Sequence, residues 1–374
     1  MRIGVPKEIK NHEYRIGLIP GTVRELSARG HEVFVENNAG LEIGLTNEQY
    51  LSAGAKILPD AVAVFEQVEM IVKVKEPQAP ERAMLRKDHV LFTYLHLAPD
   101  PDQTRDLVAG GATCIAYETV TDERGSLPLL APMSEVAGRL SIQAGAWCLE
   151  KAHGGRGMLL GGVPGVQPAK VVVIGGGVVG FNATQMAVGL GARVVVLDRS
   201  LDVLRRIDAL FSSQVESVFS DTEAINEHTR NADLVIGAVL IPGAAAPKLV
   251  TRAHLKDMQD GAVVVDVAID QGGCFETSKP TTHQDPIYIV DGVVHYCVAN
   301  MPGAVARTST FALNNATQPY VLRLADKGAR QALLDDPHLL NGLNVHRGLV
   351  TCEEVAQDLG YDYTEGAEAL KNNP

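Results

Sequence analysis

The chain has 374 residues, 46% of them apolar and 21% charged, the make-up of an ordinary globular protein with room for more than one domain. Its 45 acidic side chains outnumber 33 basic ones for a net charge of −12, which predicts no general attraction to nucleic acid or to an anionic membrane. No apolar run reaches the length of a membrane span, "MRIGVPKEIK" lacks the apolar core of a signal peptide, and Cys114, Cys148, Cys274, Cys297 and Cys352 form no C-x-x-C pair, so reduced thiols and a cytoplasmic location are expected.

In chain order, strand-like runs occur at Arg2–Val5, Glu32–Val35, Met70–Val74, Val90–Leu95 and Thr113–Tyr117. Helical segments separate most of them. "PGTVRELSARG", for instance, has Pro20 near its start and Gly30 just past its end. The alternation predicts a doubly wound parallel sheet covered on both faces, and such sheets take ligands beyond the carboxyl ends of their strands. Arg15 follows the first run, Lys75 ends the third and His96 follows the fourth. Each alone reads as a solvated charge or a packed histidine. Together, at one edge of one sheet, they read as a binding and catalytic set.

Further on, "SEVAGRLSIQAGAWCLEKAHGG" predicts a helix with Ser134 as its N-cap, and the Gly- and Pro-rich "GGRGMLLGGVPGVQPAK" predicts a turn or hairpin. "KVVVIGGGVVGFNATQMAVGLGARVVVLDRS" then supplies strand, glycine turn, helix, strand and acid. Gly175, Gly177 and Gly180 have the spacing G-x-G-x-x-G: the first permits the tight turn, the second lets backbone approach a pyrophosphate, and the third brings helix and strand close. The helix that follows aims its unpaired N–H groups at phosphate, and Asp198 at the end of the second strand suits a ribose 2′-hydroxyl. "ADLVIGAVL", "GAVVVDVAI" and "VHYCVAN" predict further strands, with Asp270 at the end of a buried one. "TSTFALNNATQPYVLRLADKG" predicts a long helix kinked at Pro319, and the remaining tail is expected to be helical and to return to the first domain. The fold class is thus α/β, with two doubly wound Rossmann-like domains and the NAD domain inserted into the substrate domain. The expected boundaries are 1–130 for the substrate domain, 131–305 for the nucleotide domain, and 306–374 for a linking helix and the return.

The segments "MRIGVPKEIKNHEYRIGLIP", "KVKEP", "LHLAP", "APMSEVAGRL", "GGVPGV", "DLVIGAVLIPG", "VDVAIDQGGCFE" and "YCVANMPGAV" resemble the L-alanine dehydrogenase family, which also contains transhydrogenase alpha subunits, along nearly the whole chain. The resemblance implies NAD-dependent, reversible oxidative deamination of L-alanine to pyruvate and ammonium. It implies substrate binding by Arg15 and Lys75, and acid/base work by His96 and Asp270. Cofactor contacts carry over to Ser134, Val178, Val179, Asp198, Ser220, Val239, Leu240, Val267, Ala268, Ile269, Asp270, Lys279, Val298, Ala299, Asn300 and Met301, beside the three glycines. A homohexamer is implied as well. Two positions depart from the pattern. A basic residue that some relatives carry after the ribose acid falls on Val203 or is displaced to Arg205, and a metal position pairing an acid like Glu118 with a histidine meets Lys327, so no catalytic metal is expected.

The residue chemistry agrees with what the resemblance implies. A guanidinium can grip the carboxylate of alanine, and the deprotonation and imine hydrolysis need groups that titrate near neutral pH, for which histidine is suited. Three rival readings are a transhydrogenase component, a saccharopine-type dehydrogenase for a bulkier amino acid, and a non-enzymatic NAD sensor.

Overall fold

The computed structural model describes residues 1–239 and 246–372. The chain divides into two compact units, one made of Met1–Pro132 with Val305–Pro374, the other of Met133–Ala304. In the first unit, strands β1 (Arg2–Val5), β2 (Glu32–Glu36), β3 (Lys56–Leu58), β4 (Met70–Val72), β5 (Val90–Thr93) and β6 (Thr113–Ala116) come before the second unit begins. The second unit carries β7 (Lys170–Ile174), β8 (Arg193–Asp198), β9 (Val215–Phe219), β10 (Leu234–Gly237), β11 (Val263–Asp266), β12 (Ile287–Val290) and β13 (Val293–Tyr296). After it, β14 (Leu343–His346) and β15 (Leu349–Val350) return to the first sheet, where β14 pairs antiparallel with β6.

The sheet orders are β15-β14-β6-β5-β4-β1-β2-β3 and β12-β13-β11-β10-β7-β8-β9. In each, the first three strands step outward one way and the next three or two step outward the other, so the direction of winding reverses between β1 and β4, and between β7 and β10. Such a reversal opens a crevice at the carboxyl ends of the central strands. Parallel central strands are buried on both faces, which explains their continuous apolar runs: Val171–Ile174 and Val263–Val265 are wholly buried. The first core gathers Val64, Phe65, Ile71, Leu91, Leu107 and Val345; the second gathers Val172, Ile174, Val235, Val264 and Phe275.

Several expectations need correction. The helix predicted to be capped by Ser134 runs from Ala131 to Cys148, so Ser134 sits inside its first turn. Pro132 is the reason, since a proline in the first turn has no N–H to satisfy and its φ already suits a helix. The C-terminal tail is not purely helical, because β14 and β15 lie between its helices. Asp270 does not end a strand: β11 stops at Asp266, and Asp270 lies exposed in the single turn Ile269–Gln271. The runs expected to reach Val74 and Leu95 also stop two residues early. Their last N–H groups go to carboxylates instead of continuing the ladder. β3, β9 and β12 were not anticipated; β3 and β9 carry exposed polar positions at the sheet edges. The helix Ala306–Lys327 is assigned as one unbroken element through Pro319.

Candidate active site

At the carboxyl edge of the first sheet, the chain segments that leave β1, β4, β5 and β6 each bring an ionisable group, Arg15, Lys75, His96 and Glu118. Arg15, in the loop after β1, is 2% exposed and its Nε and Nη2 donate to the two carboxylate oxygens of Glu13 at 2.6 and 2.5 Å. Burial opposes its charge, and Glu13 more than restores it, so the guanidinium stays charged. One edge of the guanidinium, Nε with Nη2, is thus engaged by Glu13, which fixes the plane of the group. Lys75, just past β4, is partly buried, and its carbonyl accepts the Thr93 hydroxyl at 3.0 Å.

Behind Lys75 lies a buried ionic group that the sequence did not reveal. Lys73 Nζ donates to Glu8 at 2.9 Å and to Glu81 at 2.7 Å, all three side chains being at most 2% exposed. The other Glu8 oxygen accepts the N–H groups of Val74 at 2.6 Å and Lys75 at 3.2 Å. Burial pushes the Glu8 carboxyl up, and the Lys73 ammonium pulls it back. Glu8 thus ties the backbone of Lys75 to the floor of the site.

His96, past β5, has φ +48 and a side chain 45% exposed. Its ring stacks parallel to Tyr94, with centroids 5.8 Å apart. Glu118, past β6, accepts its backbone N–H at 2.5 Å. Lys327, at the other place of the implied metal pair, bonds Asp335. Among the described residues, no three His, Cys, Asp or Glu side chains converge as a metal-ligand set.

In the second unit, the glycine turn, Asp198 and Ser220 stand at the carboxyl ends of β7, β8 and β9, and Ser134 lies in the helix Ala131–Cys148. Gly175 has φ +97, a conformation that favours glycine, and a Cβ on it would meet Ala238 O at 2.8 Å and Val239 at 3.0 Å. A Cβ on Gly180 would lie 1.7 Å from Gly175 O, whereas one on Gly177 would meet nothing within 4 Å. Gly180 therefore serves close packing, while Gly177 faces open space where a phosphate can approach. The helix Val178–Gly189 starts with Val178 and Val179, and no side chain caps it, so its first N–H groups remain available to an anion. Asp198 accepts the N–H of Gly176 at 2.6 Å and of Ser200 at 2.7 Å, one on each oxygen. Each oxygen keeps a lone pair for a ribose hydroxyl. Ser220 lies beside it, donating its N–H to Asp198 O at 2.9 Å. These features fit a dinucleotide.

The position shortly after the ribose acid is filled by Val203, whose Cγ1 sits 2.6 Å from where a Cβ on Gly176 would stand. Arg205 pairs with Asp202 on the surface, and it is Arg206 that reaches the glycine turn, donating to Gly176 O at 3.1 Å.

The loop after β11 is organised by Asp266, a buried acid at the end of that strand. It accepts the N–H of Ala268 at 3.2 Å and of Phe275 at 3.3 Å, and the Ser278 hydroxyl. Val267, Ala268, Ile269 and Asp270 hang from this hub, as does Lys279, whose N–H donates to the Tyr288 hydroxyl at 2.8 Å. Val298 bridges to Thr281, the Ala299 N–H donates to Thr281 O at 3.2 Å, and Asn300 adopts φ +59 ahead of the single turn that begins at Met301. Leu240 falls outside the described residues. Asp266 and Glu118 share a signal with Asp198, an acid at or just past the end of a buried strand.

Comparison with known proteins identifies the family. Residues 4–137 match the family model "Alanine dehydrogenase/PNT, N-terminal domain", and residues 141–353 match "Alanine dehydrogenase/PNT, C-terminal domain". An alanine dehydrogenase from Halomonas elongata is 59% identical over 370 residues, 99% of this chain and 100% of that protein. The chain belongs to the alanine dehydrogenase family. A solved L-alanine dehydrogenase superposes with a TM-score of 0.94 at 52% identity, covering 96% of this chain and 99% of that one. A transhydrogenase from Sinorhizobium meliloti superposes with a TM-score of 0.81 at 25% identity, covering 94% and 99%. Alanine dehydrogenases are thus much nearer in sequence than the transhydrogenase, and no helix among the described residues is long and apolar enough to cross a membrane.

Proposed function

We propose that this chain is an NAD-dependent dehydrogenase that converts L-alanine reversibly to pyruvate and ammonium. The observation that carries the reading is full-length identity of 59% to an alanine dehydrogenase, on a chain that sets Arg15, Lys75 and His96 at one sheet edge and a dinucleotide turn at the other sheet's edge. NAD, when bound, takes the hydride that leaves Cα of the substrate. Gly177 and the start of the helix at Val178 would hold its pyrophosphate, in a turn that Gly175 and Gly180 shape, and Asp198 would hold the adenosine ribose.

Arg15, oriented by Glu13, and Lys75, anchored by Glu8, bind the substrate carboxylate and carbonyl oxygen. Alanine must lose a proton from its ammonium before hydride can depart, and the imine that results must add water and expel ammonia. His96 and Asp270 are the acid/base pair for those transfers. The remaining carried-over residues, Ser134, Ser220, Lys279 and the segments around Val239, Val267 and Asn300, line the cofactor. The assembly is a homohexamer in the cytoplasm, a reading that rests on the family; light scattering on the purified protein tests the former and fractionation of the source cells the latter.

The test of function is NADH formation with L-alanine, compared with larger amino acids, with hydroxy acids and with a second nicotinamide nucleotide in place of the amino acid. Turnover with L-alanine well above the rest is expected. Turnover only with a second nucleotide would instead establish the transhydrogenase reading.

A further inference from the structure

We propose that Glu118 is a positioning residue that fixes the backbone at His96 and thereby aims the imidazole. The inference rests on the reading of His96 as an acid/base residue. It starts from register: β5 and β6 run parallel with Thr93 opposite Ala116, so two residues beyond their ends Leu95 comes level with Glu118. The chain past β5 leaves the ladder there, and its N–H groups need other acceptors. Glu118 supplies both. Leu95 N lies 3.1 and 3.2 Å from its two oxygens, and His96 N lies 2.5 Å from Oε1.

These bonds hold a conformation that the residue would not choose. His96 has φ +48, in the left-handed region that a side chain rarely occupies, and such a residue persists there only where its surroundings over-determine it. The surroundings do so from every side. Gln103 donates to Leu95 O at 2.6 Å, Thr104 donates to Leu97 O at 3.0 Å, and the Tyr94 ring that stacks on the imidazole is itself tied through its hydroxyl to Leu129 O at 2.5 Å. Among these supports Glu118 alone touches the N–H of His96 itself, and its side chain is 13% exposed while that of His96 is 45% exposed. A nearly buried carboxylate spent on two backbone N–H groups beneath an exposed histidine is an arrangement that sets direction. Glu118 Oε1 lies 3.7 Å from the ring Nδ1, beyond hydrogen-bond distance, so its hydrogen bonds reach His96 through the backbone.

The experiment is a double-mutant cycle on the full-length enzyme, reading kcat, KM for L-alanine, and NADH affinity by fluorescence. Glu118→Ala is expected to lower kcat by about 10²-fold, the penalty of misplacing a catalytic group by an ångström, with NADH affinity changed less than about threefold. Glu118→Gln keeps Oε1 as the acceptor for both N–H groups and is expected to recover most of that loss. On a His96→Ala background, Glu118→Ala is expected to cost nothing further, because the group it aims is gone.

An equal loss on both backgrounds, or a Gln variant as impaired as the Ala variant, would overturn the assignment. Slow amide exchange at Leu95 and His96 in the unmodified enzyme is expected as well, and exchange as fast as in an open loop would overturn the clamp even if the Ala variant does not fold. A His96→Ala variant with near-normal turnover would sink the acid/base reading instead, and amide exchange would still decide the clamp.

Discussion

The chemistry assigned to single residues yields distinct kinetic signatures. If Lys75 and His96 act on the substrate, replacing either by Ala should lower turnover by at least about 10²-fold while NADH binding stays nearly intact. Near-normal turnover in both variants would remove the set. Asp198, proposed above to hold the ribose, has both oxygens oriented by the Gly176 and Ser200 N–H groups, which leaves it little freedom to turn away. Its charge opposes a 2′-phosphate, and a preference for NAD of at least about tenfold follows, since about 1.4 kcal/mol is a factor of ten. Asp198→Ala should weaken NAD and improve NADP, with the exposed Arg199 and the nearby Arg206 now unopposed. Comparable use of both cofactors by the unmodified enzyme would show that Asp198 is not the selector.

At the scale of an element, the glycine turn and the buried ionic group make separate demands. Gly180→Ala forces a methyl to within 1.7 Å of Gly175 O, a backbone atom that cannot swing aside, so the helix Val178–Gly189 must move off its strand. NADH affinity should fall at least about tenfold, equivalent to about 1.4 kcal/mol, and an unchanged affinity by fluorescence titration would contradict the packing argument. In the first sheet, Lys73→Met removes the cation between Glu8 and Glu81 and should destabilise the protein by about 3 to 5 kcal/mol at neutral pH. The sign with pH is fixed by Glu8, whose carboxyl burial already pushes up and Lys73 pulls back. A group whose folded pKa is raised stabilises the fold at low pH and loses that contribution as pH rises through the folded value. The Lys73→Met variant should therefore have a higher melting temperature near about pH 5 than near about pH 8, with a steeper fall than the unmodified protein. A slope no steeper than that of the unmodified protein would contradict it.

Across the whole molecule, burial decides which strands the sequence discloses, and long-range backbone bonding decides which side chains it hides. Central strands such as Lys170–Ile174 announce themselves because parallel strands buried on both faces must be apolar throughout, and the glycine fingerprint announces itself because only glycine fits at Gly175 and Gly180. Edge strands such as Val215–Phe219 carry exposed polar residues and leave no such trace. The supporting carboxylates were hidden for a different reason. Glu8 and Glu118 act by accepting backbone N–H groups from residues 66 and 22 positions away, which strand register brings together, whereas Asp266 gathers N–H groups of the loop that follows it. Asp270 differs for a local reason: the acid that ends β11 is Asp266, and Asp270 lies four residues further on, in a separate turn.

The central claim is that hydride leaves Cα of alanine for NAD. It is tested most directly by supplying NAD and L-alanine that carries deuterium on Cα, then weighing the products by mass spectrometry. Deuterium is expected in the NADH, with pyruvate and ammonium released in equal amount. NADH formed without deuterium, or none formed until a second nicotinamide nucleotide is added, would contradict it.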